Sequence, residues 1–188
     1  MALKQLSVDA AVQAIRQGDI IAYPTEAVYG LGCDPLNESS VDHLLTMKGR
    51  SRRQGLILIG SRLEQFKDLI SWPDASQRQQ LRQQQSPTSW VVGATDQAPG
   101  WITGCRPSIA IRISHHPVCQ ALCMAFGGPL VSTSANPKGE SPARSVDQLD
   151  EYFPAGLAGV VEGQLGDLRQ PTSIRDLATG QWLRRNPT

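Results

Sequence analysis

The sequence predicts an α/β fold: a single mixed β-sheet covered by helices. Short apolar runs of the kind that form buried strands alternate with segments whose apolar residues recur at helical spacing. Two strand-like runs at the C-terminal end are separated by a short Thr-Gly turn, so they must pair antiparallel. We therefore expect parallel and antiparallel neighbours in the same sheet.

The N-terminal segment predicts a helix followed by a buried strand. Ser7 can cap this helix and Gly18 can end it. The apolar positions on its inner face are Val8, Ala11, Val12 and Ile15. Residues 19–23 then form a strand, which Pro24 ends because proline has no N–H to donate to the sheet.

The next segments continue the alternation of helix and strand. Ser39 or Ser40 can cap a second helix, which ends near the first lysine of a cationic run. Residues 55–60 are apolar on both faces, as in a strand covered from both sides. Ser61 and Glu64 have the spacing of a capping box, which predicts a third helix.

The middle of the chain predicts a polar helix or connection, two strands and another helix. Residues 74–85 are rich in glutamine and suit an exposed helix or a mobile connection. Residues 88–94 and 108–113 have strand character, and residues 116–126 predict a helix with Pro117 in its first turn.

The C-terminal third predicts one more helix and several strands. Residues 129–133 form a buried strand, residues 146–153 a helix and residues 158–162 a strand. A hairpin of residues 173–177 and 182–185 completes the sheet.

Length and composition place limits on the function. At 188 residues the chain fits one domain, and no linker divides it. With 18 basic and 17 acidic residues, its charge is too balanced to indicate a nucleic-acid-binding protein by itself. The sequence has no signal-peptide pattern and no apolar run long enough for a membrane span, so we expect a cytoplasmic protein with no membrane partner. Four cysteines and three histidines lack the spacing of a metal site.

Polar side chains directly follow the first strand. Thr25, Glu26 and Tyr29 stand where the strand ends, which is the edge at which open α/β sheets bind ligands. The alternative is an ordinary turn in which Thr25 caps a helix and the nearby glycines adopt positive φ. The segment alone supports both interpretations equally.

A dense run of cations follows the second helix. Residues 48–53 read Lys-Gly-Arg-Ser-Arg-Arg. Lysine as a point charge and arginine as a bidentate fork are the usual pair for a polyphosphate, which favours Lys48 and Arg50 as phosphate ligands. Arg52 and Arg53 would extend the field toward solvent. The alternative is a solvated surface whose cations complement the helix C-terminus.

Three other stretches supply hydrogen-bond donors. Ser132–Asn136 follows a strand and suits an anion site, or else a turn before Pro137. Arg112 ends an alternating strand, and because a buried cation needs a partner, it meets either a protein carboxylate or the carboxylate of a ligand. Thr172 and Ser173 add hydroxyls near the start of the final hairpin. Donors without a nucleophile–histidine pair suit a nucleotide-activating enzyme.

Five segments occur together and in a fixed order. They are Pro24–Gly32 (PTEAVYGLG), Lys48-x-Arg50, Ser108–Arg112 (SIAIR), Pro129–Asn136 (PLVSTSAN) and Ser173–Asp176 (SIRD). In this order they resemble the YrdC/TsaC family, the threonylcarbamoyl-AMP synthases, in its short bacterial form. The resemblance covers residues 7–185 and implies a single domain over that range. It also implies a twisted sheet with a concave, positive surface, related to the fold of dihydroxybutanone-phosphate synthase.

The resemblance implies a nucleotidyltransferase reaction. L-threonine, bicarbonate or CO2, and ATP would give L-threonylcarbamoyl-adenylate and pyrophosphate, the first step of threonylcarbamoylation of adenosine 37 in tRNA. Mg²⁺ would be bound mainly through ATP, and the resemblance assigns no protein ligand to it; whether Glu26 contacts the metal, orients its loop or caps it stays open. Separate transfer proteins would finish the pathway.

The resemblance also implies a role for individual residues. Lys48 and Arg50 would be catalytic and would hold the ATP phosphates. The rest of the ATP site would be Ser132, Ser134, Asn136, Thr172 and Ser173. Threonine would contact Thr25 and Tyr29, and its carboxylate would bind Arg112.

Two other functions remain open. One is a binding module of the same fold that holds tRNA or double-stranded RNA without catalysis, with Arg50, Arg52 and Arg53 on phosphates. The other is a different small-molecule enzyme on the related dihydroxybutanone-phosphate synthase fold, which would need acidic residues; Glu26 and Asp34 lie in the corresponding loop.

Overall fold

The computed structural model describes residues 3–84, 86–168, 170 and 172–185, which form six α-helices and ten strands. The helices are α1 (Val8–Arg16), α2 (Glu38–Met47), α3 (Ala75–Arg82), α4 (Gly100–Thr103), α5 (Pro117–Phe126) and α6 (Val146–Tyr152). The strands are β1 (Gln5–Leu6), β2 (Ile20–Pro24), β3 (Tyr29–Gly32), β4 (Ile57–Gly60), β5 (Thr88–Gly93), β6 (Ser108–Ile113), β7 (Leu130–Ser134), β8 (Leu157–Val161), β9 (Ser173–Asp176) and β10 (Trp182–Arg184). No helix in the described part of the chain is long and apolar enough to cross a membrane.

The strands described above form one sheet in the order β1-β8-β2-β3-β7-β4-β6-β5-β9-β10. The pairs β1/β8, β2/β8, β4/β6 and β5/β9 are parallel. The pairs β2/β3, β3/β7, β4/β7, β5/β6 and β9/β10 are antiparallel. The predicted mixed sheet covered by helices is confirmed, and the C-terminal hairpin supplies the antiparallel end.

Both faces of the sheet are covered, but to different extents. Along β2, Ile20 and Ala22 join one buried cluster, whereas Ile21 and Tyr23 join another, since successive strand residues point to opposite faces. Apolar residues of α2, α3, α4 and α6 belong to the first cluster and those of α1 and α5 to the second. Each fully buried aliphatic side chain contributes about 1.5–3 kcal/mol to folding. The second face is covered at one end only, because its cluster stops at Ile59 and Leu130 on β4 and β7.

The short elements β1 and α4 were not predicted, and local structure differs from the sequence prediction in three further places. The chain after Pro24 was expected to be a loop. Instead it reverses direction and forms β3, so β2 and β3 make an antiparallel hairpin. Asn37, rather than Ser39 or Ser40, caps α2. The helix predicted after Ser61 is a short 3₁₀ turn at Leu63–Phe66 without a side-chain cap, because the Ser61 hydroxyl donates to Gln65 instead. In each case a neighbouring group competed for the hydrogen bonds: a strand partner for β3, the Asn37 side chain at α2, and the Gln65 side chain at Ser61.

Candidate active site

A cavity of about 540 Å³ lies on the open part of the sheet. Its floor contains Ser132, Ile57, Ala110 and Val91, which are partners in register across β7, β4, β6 and β5. Partners in register share a face, and this face is the one that α1 and α5 cover at its other end. The floor residues Ser132 and Ala110 have small side chains, which leave volume for a ligand.

The turn between β2 and β3 forms one wall. The Thr25 hydroxyl donates to the Val28 carbonyl at 2.7 Å, so Thr25 is both the closing bond of the turn and part of the cavity lining. Tyr29 also lines the cavity, although it packs in the cluster on the opposite face. Burial raises the pKa of Tyr29. The two interpretations of this segment, a turn or a site, therefore describe the same residues.

Arg112 and Glu26 form a buried ion pair at the end of the cavity. Arg112 Nη2 lies 3.8 Å from Glu26 Oε2, and Arg112 itself lines the cavity. The Ser114 hydroxyl donates to Glu26 Oε1 at 2.5 Å. Although burial alone would raise it, the Arg112 charge and the Ser114 hydrogen bond hold the pKa of Glu26 below its usual value. The sequence left two partners open for Arg112, a protein carboxylate or the carboxylate of a ligand. The structure supplies the first of these, Glu26.

Lys48 anchors the loop that follows β7. Its ammonium donates to the carbonyl of Ser134 at 2.5 Å and to that of Asn136 at 2.7 Å. Lys48 is 5% exposed; burial, followed by the nearby Arg50 charge, lowers its pKa to about 8. Ser134 lines the cavity, whereas Lys48 and Asn136 lie behind it.

The loop after β7 is held in shape by its own side chains. The Ser134 hydroxyl donates to Asn136 Oδ1 at 2.6 Å, and Asn136 Nδ2 donates to the carbonyls of Pro137 and Glu140 at 3.0 and 2.9 Å. The amide of Asn136 is therefore used to bend the chain, as the turn interpretation predicts. Together with Lys48, these bonds set where the Ser134 side chain stands on the cavity wall.

Arg50 and Arg184 add two guanidinium groups to the lining. Arg50 Nη2 donates to the Gly55 carbonyl at 2.8 Å, and its Nε is buried without a partner. Burial and then the Arg184 charge lower the pKa of Arg50, while burial and then the Arg112 charge lower that of Arg184. The three cations are therefore close enough to repel one another, which favours binding of an anion between them.

Arg184 was not identified from the sequence. It lies in β10, the last strand of the sheet, and its Nη2 donates to the Thr172 carbonyl at 2.6 Å. The only sequence signal was an arginine pair in the C-terminal hairpin, which predicted a strand and nothing more. Its position over the cavity depends on the pairing of β5 with β9, far apart in sequence.

Thr172 connects two walls of the cavity. Arg112 Nη1 donates to its hydroxyl at 3.3 Å, and the hydroxyl of Ser89 lies 3.1 Å away. Thr172 lines the cavity, and Ser173, the first residue of β9, lies next to it outside the lining. Ser89 was not identified from the sequence either, because a lone serine in a strand carries no signal.

Arg52 does not extend the positive field. It forms ion pairs with Glu38 and Asp42 on α2, with Nη1 of Arg52 2.8 Å from Glu38 Oε1. The expectation that Arg52 extends the positive field toward solvent is therefore wrong for this structure, since the α2 carboxylates neutralise its charge. The charges of the cationic run are thus divided: Arg52 is compensated at the surface, and Arg50 points into the cavity.

The segment after β8 packs closely against the Thr25–Glu26 turn. The amides of Gly166 and Leu168 donate to the carbonyls of Thr25 and Glu26 at 2.9 and 3.0 Å. A Cβ at position 166 would lie 2.6 Å from the Glu26 carbonyl oxygen. Only glycine allows this approach without a shift of the backbone.

Gly166→Ala is therefore expected to lower the free energy of unfolding by about 1–3 kcal/mol, the usual effect of overpacking. Urea denaturation monitored by circular dichroism measures it. Gly128→Ala is the matched control, because a Cβ there would lie 3.8 Å from its nearest neighbour. Equal urea midpoints for Gly166→Ala and Gly128→Ala would contradict the close approach of Gly166 to the Glu26 carbonyl.

The described residues contain no group of three or more histidine, cysteine, aspartate or glutamate side chains that could hold a metal ion. In the cavity lining, the one carboxylate among the described residues is Asp176. Mg²⁺ in nucleotide sites is usually held by one or two carboxylates and the substrate phosphates.

Comparison with known proteins identifies the family. The sequence model of the Sua5/YciO/YrdC family, described as telomere recombination, matches residues 13–186. A threonylcarbamoyl-AMP synthase of Halorhodospira halophila is 47% identical over 93% of this chain and 92% of its own length. One from Xanthomonas axonopodis pv. citri is 48% identical over 95% of this chain and 97% of its own length.

Solved structures agree with the sequence relatives. P. abyssi Sua5 complexed with L-threonine is 26% identical, with a TM-score of 0.84 over 91% of this chain. This chain spans 51% of that protein, about half its length. E. coli YciO has the same fold, with a TM-score of 0.82 at 21% identity over 94% of this chain. From the match over most of its length, the chain belongs to the Sua5/YciO/YrdC family.

Proposed function

We propose that this protein is a threonylcarbamoyl-AMP synthase. It would convert L-threonine, bicarbonate or CO2, and ATP to L-threonylcarbamoyl-adenylate and pyrophosphate. The relatives that carry this name match more than nine-tenths of the chain. The observation that carries the proposal is that one cavity holds two kinds of arginine. Arg50 and Arg184 have no carboxylate ion pair among the described residues, whereas Arg112 faces Glu26.

The two kinds of arginine suit the two larger substrates. The ATP phosphates lie between Arg50 and Arg184, with Ser132 and Ser134 donating from β7. Lys48 contributes through its charge and by holding the loop that carries Ser134. Thr172 closes the site, and Asn136 and Ser173 support it from outside the lining. Compact groups of cations and hydroxyls of this kind neutralise phosphate charge in nucleotide-activating enzymes.

Threonine binds beside the phosphate site. Its carboxylate binds Arg112, and its side chain and amine face Thr25 and Tyr29. P. abyssi Sua5 has been crystallised in complex with L-threonine. A guanidinium with free donors is the preferred partner of a carboxylate. Burial of Arg112 excludes water, which strengthens that interaction.

The chemistry requires positioning more than acid–base catalysis. The threonine nitrogen bonds to the carbon of CO2 and loses a proton, which gives a carbamate. A carbamate oxygen then attacks the α-phosphorus of ATP; the new P–O bond forms as the bond to pyrophosphate breaks. Arg50, Lys48 and Arg184 stabilise the charge that accumulates on the departing pyrophosphate.

ATP would enter as its Mg²⁺ complex, with the ion carried as part of the substrate. The reaction would take place in the cytoplasm, and the adenylate would pass to separate transfer proteins that act on tRNA. Residues 7–185 would act as one domain, because β2 to β10 all belong to a single sheet.

The test is an assay of purified protein with radiolabelled bicarbonate, threonine and ATP. Pyrophosphate release and labelled adenylate should both require all three substrates. Arg50→Ala should reduce the rate by about 100-fold, the effect of removing one donor from a developing charge. Arg62→Ala, at an exposed arginine outside the cavity lining, is the matched control and should retain the wild-type rate. Pyrophosphate release that continues without threonine would refute the proposed reaction.

A further inference from the structure

Glu26 is the one carboxylate that faces Arg112 in an ion pair among the described residues, yet it is not part of the cavity lining. Both side chains are about 90% buried. Removing a carboxylate and a guanidinium from water is costly unless each compensates the other. The pair therefore needs a reason beyond stability, because an apolar pair of equal volume would fold at least as well.

The geometry of the pair leaves the donors of Arg112 free. The 3.8 Å separation of Arg112 Nη2 and Glu26 Oε2 is too long for a hydrogen bond. Neither Glu26 Oε2 nor Arg112 Nε has a hydrogen-bond partner in the described structure, although both atoms are buried. The hydrogen bond that Arg112 makes is the one from Nη1 to Thr172. Glu26 thus supplies charge to Arg112 without using its donors.

Glu26 itself is held firmly from the other side. Its Oε1 accepts from the Ser114 hydroxyl, which in turn accepts from the His116 amide at 3.2 Å. His116 is anchored through Nε2 to the Gln164 carbonyl at 3.0 Å. The Glu26 carbonyl accepts from the Leu168 amide. These contacts come from separate segments, so the carboxylate has little freedom to move toward Arg112.

We propose that Glu26 is a positioning residue for threonine. It holds the Arg112 guanidinium in the cavity wall and balances its buried charge while leaving its Nε and Nη2 donors available to the substrate carboxylate. This inference rests on the proposed function, because it takes threonine as the ligand of Arg112. Ser114 has a supporting role. Its hydrogen bond holds the Glu26 carboxylate at a distance that leaves the Nε and Nη2 donors of Arg112 free.

The expected consequence is selective for threonine. In Glu26→Gln the side chain keeps its size and can still accept from Ser114, but Arg112 becomes a buried charge without compensation and leaves its position. The KM for threonine should rise about tenfold or more, while kcat/KM for ATP at saturating threonine stays within about twofold. Glu26→Asp, which keeps the charge, should recover part of the threonine affinity.

Three variants and two readouts decide the matter. Initial-rate kinetics give KM and kcat for each substrate, and calorimetric titration of threonine gives affinity without turnover. Ser114→Ala should raise the KM for threonine by a smaller factor, about threefold, and it serves as the deciding variant where Glu26→Gln does not fold. A wild-type KM for threonine in Glu26→Gln, or in Ser114→Ala where the first variant is unfolded, would overturn the proposal. So would equal rises in the KM for threonine and for ATP.

Failure of this inference and failure of the proposed function look different. If the wild-type protein releases no pyrophosphate in response to threonine, the reaction itself is wrong. If the wild-type protein is active and the Glu26 variants bind threonine normally, only the positioning role is wrong.

Discussion

Replacing Lys48 with methionine is expected to lower kcat/KM for ATP by about 100-fold to 1000-fold, the range found when one charge-stabilising donor is removed. Two losses combine: the positive charge near the phosphates, and the hydrogen bonds that hold the carbonyls of Ser134 and Asn136. The measurement is steady-state pyrophosphate release over a range of ATP concentrations. Lys67→Met, at an exposed lysine outside the cavity lining, is the matched control.

The same lysine predicts a pH dependence with a defined direction. Because burial lowers the pKa of Lys48 to about 8, the free protein loses this charge as the pH rises through that value. ATP affinity, measured by calorimetric titration, should therefore fall between about pH 7 and pH 9.5. In Lys48→Arg this decline should be absent, because arginine stays charged. Constant ATP affinity across this range in the wild-type protein would contradict the assignment.

The contribution of Lys48 to stability changes in the opposite direction. An unfolded lysine keeps its proton to about pH 10.4, so between about pH 8 and 10.4 the unfolded chain binds more protons at this group than the folded one. The contribution of Lys48 to the free energy of unfolding should therefore rise with pH through this window. Weaker ATP binding in the same window therefore cannot be attributed to unfolding through this group.

Ala110→Phe is expected to abolish binding of both substrates. Ala110 lies at the centre of the cavity floor, between its register partners Ile57 and Val91. A benzyl group there fills the space above the sheet, and displacement of a substrate by about 1 Å already costs about 100-fold in rate. Calorimetric titration of ATP and of threonine, together with the pyrophosphate assay, measures the loss.

Folding should be preserved in this variant, because the new ring enters an open cavity instead of a packed core. The free energy of unfolding should stay within about 1 kcal/mol of the wild type. Ala155→Phe makes the same substitution at an exposed site and should retain both binding and activity. Normal ATP and threonine affinity in Ala110→Phe would show that the substrates bind elsewhere.

Local sequence patterns were sufficient for most elements of the fold. The cap at Ser7, the proline at the start of α5 and the two-face apolar run of β4 all predicted elements that the structure contains. These signals work because they depend on residues a few positions apart. Where the outcome depended on a competing neighbour, prediction was wrong: Asn37 took the cap of α2, and β3 formed where a loop was expected.

The candidate site was partly visible in the sequence. Thr25 and Arg112 were selected as donors near strand ends and Arg50 as part of the cationic run after a helix, and the structure brings all three to one cavity. Arg184 carried no comparable signal, because a surface-strand arginine and a cavity arginine look the same in sequence. Its role depends on the long-range pairing of β5 with β9, which no local pattern encodes.

The sequence by itself determined the fold class, the order of most elements and the set of cations and hydroxyls from which a site could be built. Only the tertiary structure decided how these groups are paired. It put Glu26 against Arg112, turned Arg52 to the α2 carboxylates and used Lys48 to hold the loop after β7. The physical reason is that a charge acts through the partners within a few ångströms of it, and sheet register sets those partners.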